Sequence, residues 1–261
     1  MSKGPRILIS NDDGINAVGI KHLQEIAAQI SDDVWVVAPQ DNQSGAGHRF
    51  TLGTELSLEQ IENNIFAIDG TPADCVVIAC THILKDKKPD IILSGINHGQ
   101  NLGDIIHCSG TLAAAREGAL QGALGIGLSQ AYDYMGNTDI NWDCAIDHGA
   151  DIVRALIKEH HGNGTYYNVN FPIAEQEREP DVQIVPHQRF SISPFSHYAS
   201  KNEGKFFVTI PKTPLPLDEG HDFHALHHEH SIIVTPLLLQ QSDTIMSQKL
   251  QGKIKLGRKI K

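Results

Sequence analysis

The chain has 261 residues, 40% of them hydrophobic and 20% charged, the composition of an ordinary soluble protein with room for one large α/β domain. Its formal net charge of −10 argues against a nucleic-acid polymer as main partner, since such binding rests on clustered Lys and Arg, but leaves one local site free to take a small phosphate ester. The opening MSKGPRILIS lacks the apolar core of a signal peptide, and no apolar run approaches membrane-spanning length, so a cytoplasmic protein without membrane contact is expected.

In chain order, RILIS (6–10) and VWVVAP (34–39) are short β-branched apolar runs that predict strands. Between them, Val18, Leu23, Ile26, Ala27 and Ile30 recur at helical spacing, which makes a βαβ unit and hence parallel strands. TPADCVVIACTHIL (71–84) predicts a helix with Thr71 as N-cap and Pro72 at its first position. PDIILSG (89–95) reads as a strand, SGTLAAAREGALQGA (109–123) as an alanine-rich helix and LGIGLS (124–129) as a strand. A long amphipathic helix over 142–161 and a strand over TYYNVNF (165–171) complete the alternation. Such a pattern indicates an open, doubly wound, mostly parallel sheet in three α/β/α layers.

Residues 172–230 hold many of the prolines and short β-like runs such as VQIVP and FFVTIP, which predicts a β-rich appendage suited to meeting a partner subunit. SIIVTPL (231–237) reads as a strand returning to the main sheet, followed by a short helix and a solvated basic tail, KIKLGRKIK. The expected organisation is one domain: a core over 1–171, the appendage over 172–230, and the returning strand and tail over 231–261. In the histidine run HDFHALHHEH (221–230), His224 and His228 would share a face only in a helix. Directly before a strand, a solvated or interface loop is expected instead. The four cysteines, Cys75, Cys80, Cys108 and Cys144, show no paired zinc spacing and are expected to be reduced thiols.

Chemistry concentrates at strand ends. RILISNDDGINAVGI closes the first strand with two adjacent carboxylates, Asp12 and Asp13, and Gly14 supplies the turn that lets them converge. Two ionised carboxylates about 5 Å apart repel by roughly 3 kcal/mol at an effective dielectric of ~20, a cost that a shared proton or divalent cation removes. Oxygen donors of this kind suit Mg²⁺ or Mn²⁺. Capping of the following helix is the alternative role for the pair. PQDNQSGAGH (39–48), after the second strand, offers the Ser44 hydroxyl and the His48 imidazole at the same sheet edge. SGINHGQNLGDIIHCSGTLAAA (94–115) is a long glycine- and asparagine-rich connection, with neutral oxygen donors at Asn97 and Asn101. It ends in Ser109-Gly110-Thr111, where a helix start offers N–H groups and hydroxyls to an anion. No Walker lysine, dinucleotide fingerprint or Cys-x5-Arg loop accompanies these glycines. The residues together describe a divalent-metal phosphohydrolase or a phosphate-ester binding site.

ILISNDDGINAVGI, VVAPQDNQSGAGH, GTPADCV and DIILSGINHGQNLGDIIHCSGTLAAAREG also resemble, in this order, the signature blocks of the survival protein E (SurE) family of metal-dependent 5′/3′-nucleotidases. SIIVTPL is similar to its last strand. The resemblance implies a Rossmann-like core and a C-terminal extension used to form a homodimer or homotetramer. It implies one Mg²⁺ or Mn²⁺ held by Asp12, Asp13, Ser44 and Asn97, with catalysis resting on Asp12, Asp13, Asn97 and Ser109. Substrate phosphate is expected at Asn97, Ser109, Gly110 and Thr111, with His48 and Asn101 as candidates for contact to the rest of the substrate. The substrates implied are nucleoside 5′-monophosphates, then 3′-monophosphates and short polyphosphate, hydrolysed directly by water. Asp41, Gln100 and Cys108 depart from the common family residues. A covalent aspartyl-phosphate route lacks its DxD pattern here, and a non-catalytic nucleotide or phosphate sensor is the alternative from another functional class.

Overall fold

A computed structural model describes residues 4–133, 139–162, 164–173, 179–209, 217–251 and 253. The alternation read from the sequence is realised as β1 (Ile7–Ser10), α1 (Val18–Ala28), β2 (Val34–Pro39), β3 (Leu58–Glu62), β4 (Ile65–Ile68), α2 (Pro72–Ile78), β5 (Ile91–His98), α3 (Gly110–Leu120), β6 (Leu124–Gln130), α4 (Asp143–Glu159) and β7 (Thr165–Phe171). Beyond them come β8 (Val182–Ile184), β9 (Ser196–Ala199), β10 (Phe206–Thr209), α5 (Asp222–His227), β11 (Ile232–Leu238) and α6 (Thr244–Leu250). One nine-stranded sheet runs β3-β4-β2-β1-β5-β6-β7-β11-β8. The strands from β4 to β7 are mutually parallel; β3 and β11 pair antiparallel with β4 and β7.

The centre of the sheet is buried on both faces, so its central strands are continuous apolar runs such as ILIS and IILSGI. Ile20, Leu23 and Ile26 of α1 and Ala145, Ile152 and Val153 of α4 pack on one face with Ile7, Ile9, Leu93 and Ile126. On the other, Cys75, Val76 and Ala79 pack with Leu8, Val37, Ile92 and Ala114 of α3. Helix α2 starts where its sequence demands: Thr71 and Asp74 form a reciprocal capping box with Pro72 at the first turn. Its last turns widen into a π-type turn over Ala79–Ile83. Within the sheet, β1 lies between β2 and β5. The chain winds outward in one direction from β1 and in the other from β5, so the carboxyl ends of these two strands form the crevice where ligands of such folds bind.

Two elements depart from the sequence reading. The histidine run is not a loop: Asp222–His227 forms a helical turn because Phe223, Ala225 and Leu226 are buried against Leu102, Val185 and Ile233. His224 and His228 then do share a face, with rings stacked at 5.2 Å, and His224 Nδ1 meets Glu229 Oε1 at 2.8 Å. The hairpin β3–β4, for which no elements are predicted, adds two strands to the sheet edge. The appendage contributes β8 to the main sheet and a separate antiparallel ribbon, β9–β10. Of the basic tail, only Lys253 lies within the described residues. All four cysteines are free, and burial pushes the Cys144 thiol up to about 12.

Candidate active site

Three chain segments meet beyond the carboxyl ends of β1, β2 and β5. After Ser10 the chain turns sharply. Asn11 Nδ2 donates to the Gly14 carbonyl at 2.8 Å, and Gly14 adopts φ +100°, a conformation that disfavours any side chain. Asp12 and Asp13 sit inside this turn. They do not cap α1: its N-cap is Ala17, without a side-chain bond, and its first turn holds no acidic residue. The helix-capping alternative for the pair is therefore removed for α1.

Asp12 faces a different helix. Thr111 Oγ1 donates to its Oδ1 at 2.5 Å, and the Gly110 N–H also bonds the carboxylate. The Asp12 carboxylate thus lies at the N-terminus of α3, on the positive end of its dipole. Gly110 is required for this approach, because a Cβ there would fall 2.6 Å from Asp12 Cβ and 2.9 Å from its Oδ2. Asp12 is only 4% exposed. Burial, reinforced by the neighbouring Asp13 charge, outweighs the Thr111 and Gly110 bonds and raises its carboxyl to about 6. Burial likewise raises Asp13, against the lowering effect of the His98 N–H, which donates to Asp13 Oδ2 at 3.1 Å.

The β2 loop is drawn to the same place. The Gln43 N–H donates to the Asp12 carbonyl at 2.7 Å, and Ser44 N–H donates to Asn42 Oδ1 at 2.8 Å in a tight polar turn that leaves Ser44 exposed. From β5, Asn97 stands just beyond a register shift against β6. Its Nδ2 donates to the Gly99 carbonyl at 2.6 Å, so its amide oxygen carries the free acceptor face. The Asp12–Asp13 turn, the loop that carries Ser44 and the end of β5 that carries Asn97 are thus joined by hydrogen bonds at one edge of the sheet. Among the described residues no group of three or more His, Cys, Asp or Glu side chains is arranged around a metal position. A cation here would draw on two carboxylates plus a hydroxyl and an amide oxygen. Two partly desolvated carboxylates with raised pKa values fit such a cation, whose charge would remove the cost of ionising both.

The turn Ser109-Gly110-Thr111 divides its roles. Thr111 is fully buried and its hydroxyl is engaged by Asp12, whereas Ser109 Oγ accepts the Leu112 N–H as the helix cap. Asn101 is buried: its Nδ2 donates to Ser129 Oγ, and its carbonyl accepts from Asn168 and Asn170. These bonds pin the β5–α3 connection to β6 and β7. His48 lies between α3 residues that the sequence reading did not single out. Its Nε2 is 3.0 Å from Glu117 Oε2 and its Nδ1 is 3.3 Å from Arg116 Nη1. Since a guanidinium only donates, Nδ1 is the acceptor and the ring proton sits on Nε2, facing the Glu117 carboxylate. The only sequence trace of Glu117 is a lone acid on an otherwise apolar helix face.

Comparisons with known proteins agree with this arrangement. Residues 7–193 match the family model described as Survival protein SurE. The chain is 43% identical to a protein of Methylobacterium radiotolerans named 5′-nucleotidase SurE, over 91% of this chain and 94% of that one. A protein of the same name from Methylorubrum populi is 40% identical over the same shares. The crystal structure of SurE protein from Aquifex aeolicus superposes with a TM-score of 0.82 at 31% identity, covering 95% of this chain and 98% of that one. The fold, the crevice at its switch point and these relatives lead to one conclusion: the chain belongs to the SurE family.

Proposed function

We propose that the protein is a divalent-metal-dependent nucleotidase that hydrolyses nucleoside 5′-monophosphates, with 3′-monophosphates and short polyphosphate as further substrates. The observation that carries this reading is the buried Asp12 carboxylate at the start of α3, with Asp13 beside it bonded to the His98 N–H at the end of β5. Its setting suits a cation and places that cation against a helix N-terminus able to receive a phosphate. The relatives' name, 5′-nucleotidase, supports the same substrate class.

Asp12, Asp13, Ser44 and Asn97 would hold Mg²⁺ or Mn²⁺, which when bound neutralises phosphate charge and acidifies a water. Asp13, the less buried of the pair, orients the attacking water and receives its proton. The Ser109 hydroxyl and the positive end of the α3 dipole stabilise the phosphoryl oxygens as charge builds on them. Thr111 acts through Asp12, fixing its carboxylate rather than contacting substrate. As the water oxygen bonds to phosphorus, the ester P–O bond breaks, and the departing ribose oxygen takes up the proton that Asp13 received.

We place the enzyme in the cytoplasm as a homodimer or homotetramer; no described helix is long and apolar enough to cross a membrane. Support for assembly comes from the β9–β10 ribbon, where Phe206, Phe207 and Val208 are exposed, and from α6, which buries no residue of its own. Light scattering on the purified chain should give two or four subunits, and a monomer would refute the assembly. The activity is tested by phosphate release from nucleoside 5′- and 3′-monophosphates with Mn²⁺, Mg²⁺ or EDTA, for wild type and Asp13→Asn. Release that needs metal and collapses in the variant is expected. Tight, metal-independent nucleotide binding without release would assign the chain to the sensor class.

A further inference from the structure

A cleft of about 710 Å³ runs along α3 beside the phosphate turn. Ser109, Leu112, Ala113 and Arg116 line it at i, i+3, i+4 and i+7, one stripe of the helix. The rise from Ser109 to Arg116 is about 10 Å, and the Arg116 side chain shortens that span by leaning toward the helix start, as long helical side chains do. Across from the stripe stand His187, Arg189 and Thr235. In a chain of formal charge −10, no carboxylate lines this cleft among the described residues. Two carboxylates bonded to lining residues have further partners: Glu117 is held by His48 and Gln121, and Asp104 by Arg189 Nε and the Phe190 N–H.

Two buried polar atoms at the cleft have no hydrogen-bond partner among the described residues: Arg116 Nε and Thr235 Oγ1. Thr235 as a whole is 1% exposed and lies on β11, which forms the opposite wall. A buried guanidinium N–H and a buried hydroxyl left open in the same cavity are the donors an anion would satisfy. Ser109, in the turn that receives the reacting phosphate, and Arg116 mark the two ends of the helical stripe, and Thr235 stands on the facing strand.

We propose that this cleft binds a second, non-reacting phosphoryl group through Arg116 and Thr235, so that nucleosides carrying phosphates at both the 3′ and 5′ positions are the preferred substrates. The inference rests on the nucleotidase reading: Ser109 meets the phosphate that leaves, Arg116 the one that stays. Water adds to the first phosphorus, its ester bond breaks, the ribose oxygen is protonated, and the second ester is untouched. The products are inorganic phosphate and a nucleoside monophosphate. A pyrophosphate, whose phosphoryl groups are adjacent, would not reach both ends.

The test compares kcat/KM for adenosine 5′-monophosphate and adenosine 3′,5′-bisphosphate in wild type, Arg116→Gln and Thr235→Val. Wild type is expected to prefer the bisphosphate by about tenfold or more, the scale of one charge-assisted contact. The preference should fall toward one in Arg116→Gln and by about threefold in Thr235→Val, on the scale of a single neutral hydrogen bond. Valine keeps the shape of threonine while removing an unpartnered hydroxyl, so the Thr235→Val melting temperature should hold or rise. A structural role alone would then leave the preference intact. Turnover of the monophosphate with no preference in wild type, or a preference unchanged in both variants, overturns the second subsite and leaves the nucleotidase standing. If neither compound is hydrolysed, the nucleotidase reading falls, and equilibrium binding decides the subsite. Tighter binding of the bisphosphate that is lost in Arg116→Gln supports it, and equal binding of the two compounds overturns it.

Discussion

Replacing Asp12 by asparagine should make the metal-free protein more stable while removing its activity. In the native state the Asp12 carboxyl is raised from 3.8 to about 6, chiefly by burial and next by the charge of Asp13. The folded protein holds this proton more tightly than the unfolded chain does. Stability from this group is therefore full below pH 4 and is lost as pH rises through about 6. By pH 8 the loss amounts to about 3 kcal/mol. Asparagine mimics the neutral acid and still accepts the Thr111 hydroxyl, but its amide nitrogen faces the Gly110 N–H, at a cost of about 1 kcal/mol. The net gain is about 2 kcal/mol at pH 8 and about 0.5 kcal/mol at pH 5. For a chain of this length the pH 8 gain raises the melting temperature by about 4–8 °C. Thermal denaturation of both proteins in EDTA at the two pH values measures it, and repeating the scan in Mn²⁺ should lift wild type more than the variant. A gain that is absent at pH 8, or equal at both pH values, would refute the reasoning.

Three further outcomes follow from contacts at the site and behind it. Gly110→Ala drives a Cβ into Asp12; the displacement of about 1 Å should cost about 100-fold in kcat, read by phosphate release, with the fold checked by circular dichroism. Glu117→Gln replaces the carboxylate that receives the His48 ring proton. Steady-state kinetics should show KM rising several-fold with kcat nearly constant, alongside a stability loss of about 1 kcal/mol in urea. Gly19→Ala places a methyl against the Ile96 carbonyl oxygen where α1 crosses β5, and should lower the unfolding free energy by about 3 kcal/mol without altering the chemistry of the crevice.

Those elements that bury a periodic or continuous apolar pattern are legible in the sequence alone. β2 and β7 match to the residue, and the helices differ only at their ends, where fraying and capping decide. The β3–β4 hairpin was not legible because every residue of Leu58–Glu62 is exposed, so no inward alternation marks it. Its best signal was the Asn63-Asn64 turn ahead of the apolar IFAI. The helical turn at Asp222–His227 was hidden by its histidines, since the apolar residues that bury it number only three. At the site, donor types and strand-end positions could be read directly. Which donor meets which could not: Asp12 meets Thr111 across 99 positions, and His48 meets Glu117 across 69. Such pairings are products of sheet order, and no local spacing encodes them.

The loop after β2 is fastened at four points between residues 43 and 51. Gln43 is tied to Asp12, Gly47 to the Cys108 carbonyl, His48 to Glu117 and Thr51 to Asp74. A segment anchored this often does not swing open and shut between turnovers. The ligand meets a receptacle assembled in advance, and protection of the reacting phosphate from bulk solvent falls to static walls instead of a moving cover. Turnover in such an enzyme is governed by bond breaking or by departure of phosphate from a standing site. Loop mobility, the usual raw material for broadening substrate range, is unavailable here, so changes in selectivity must come from side chains on the fixed walls.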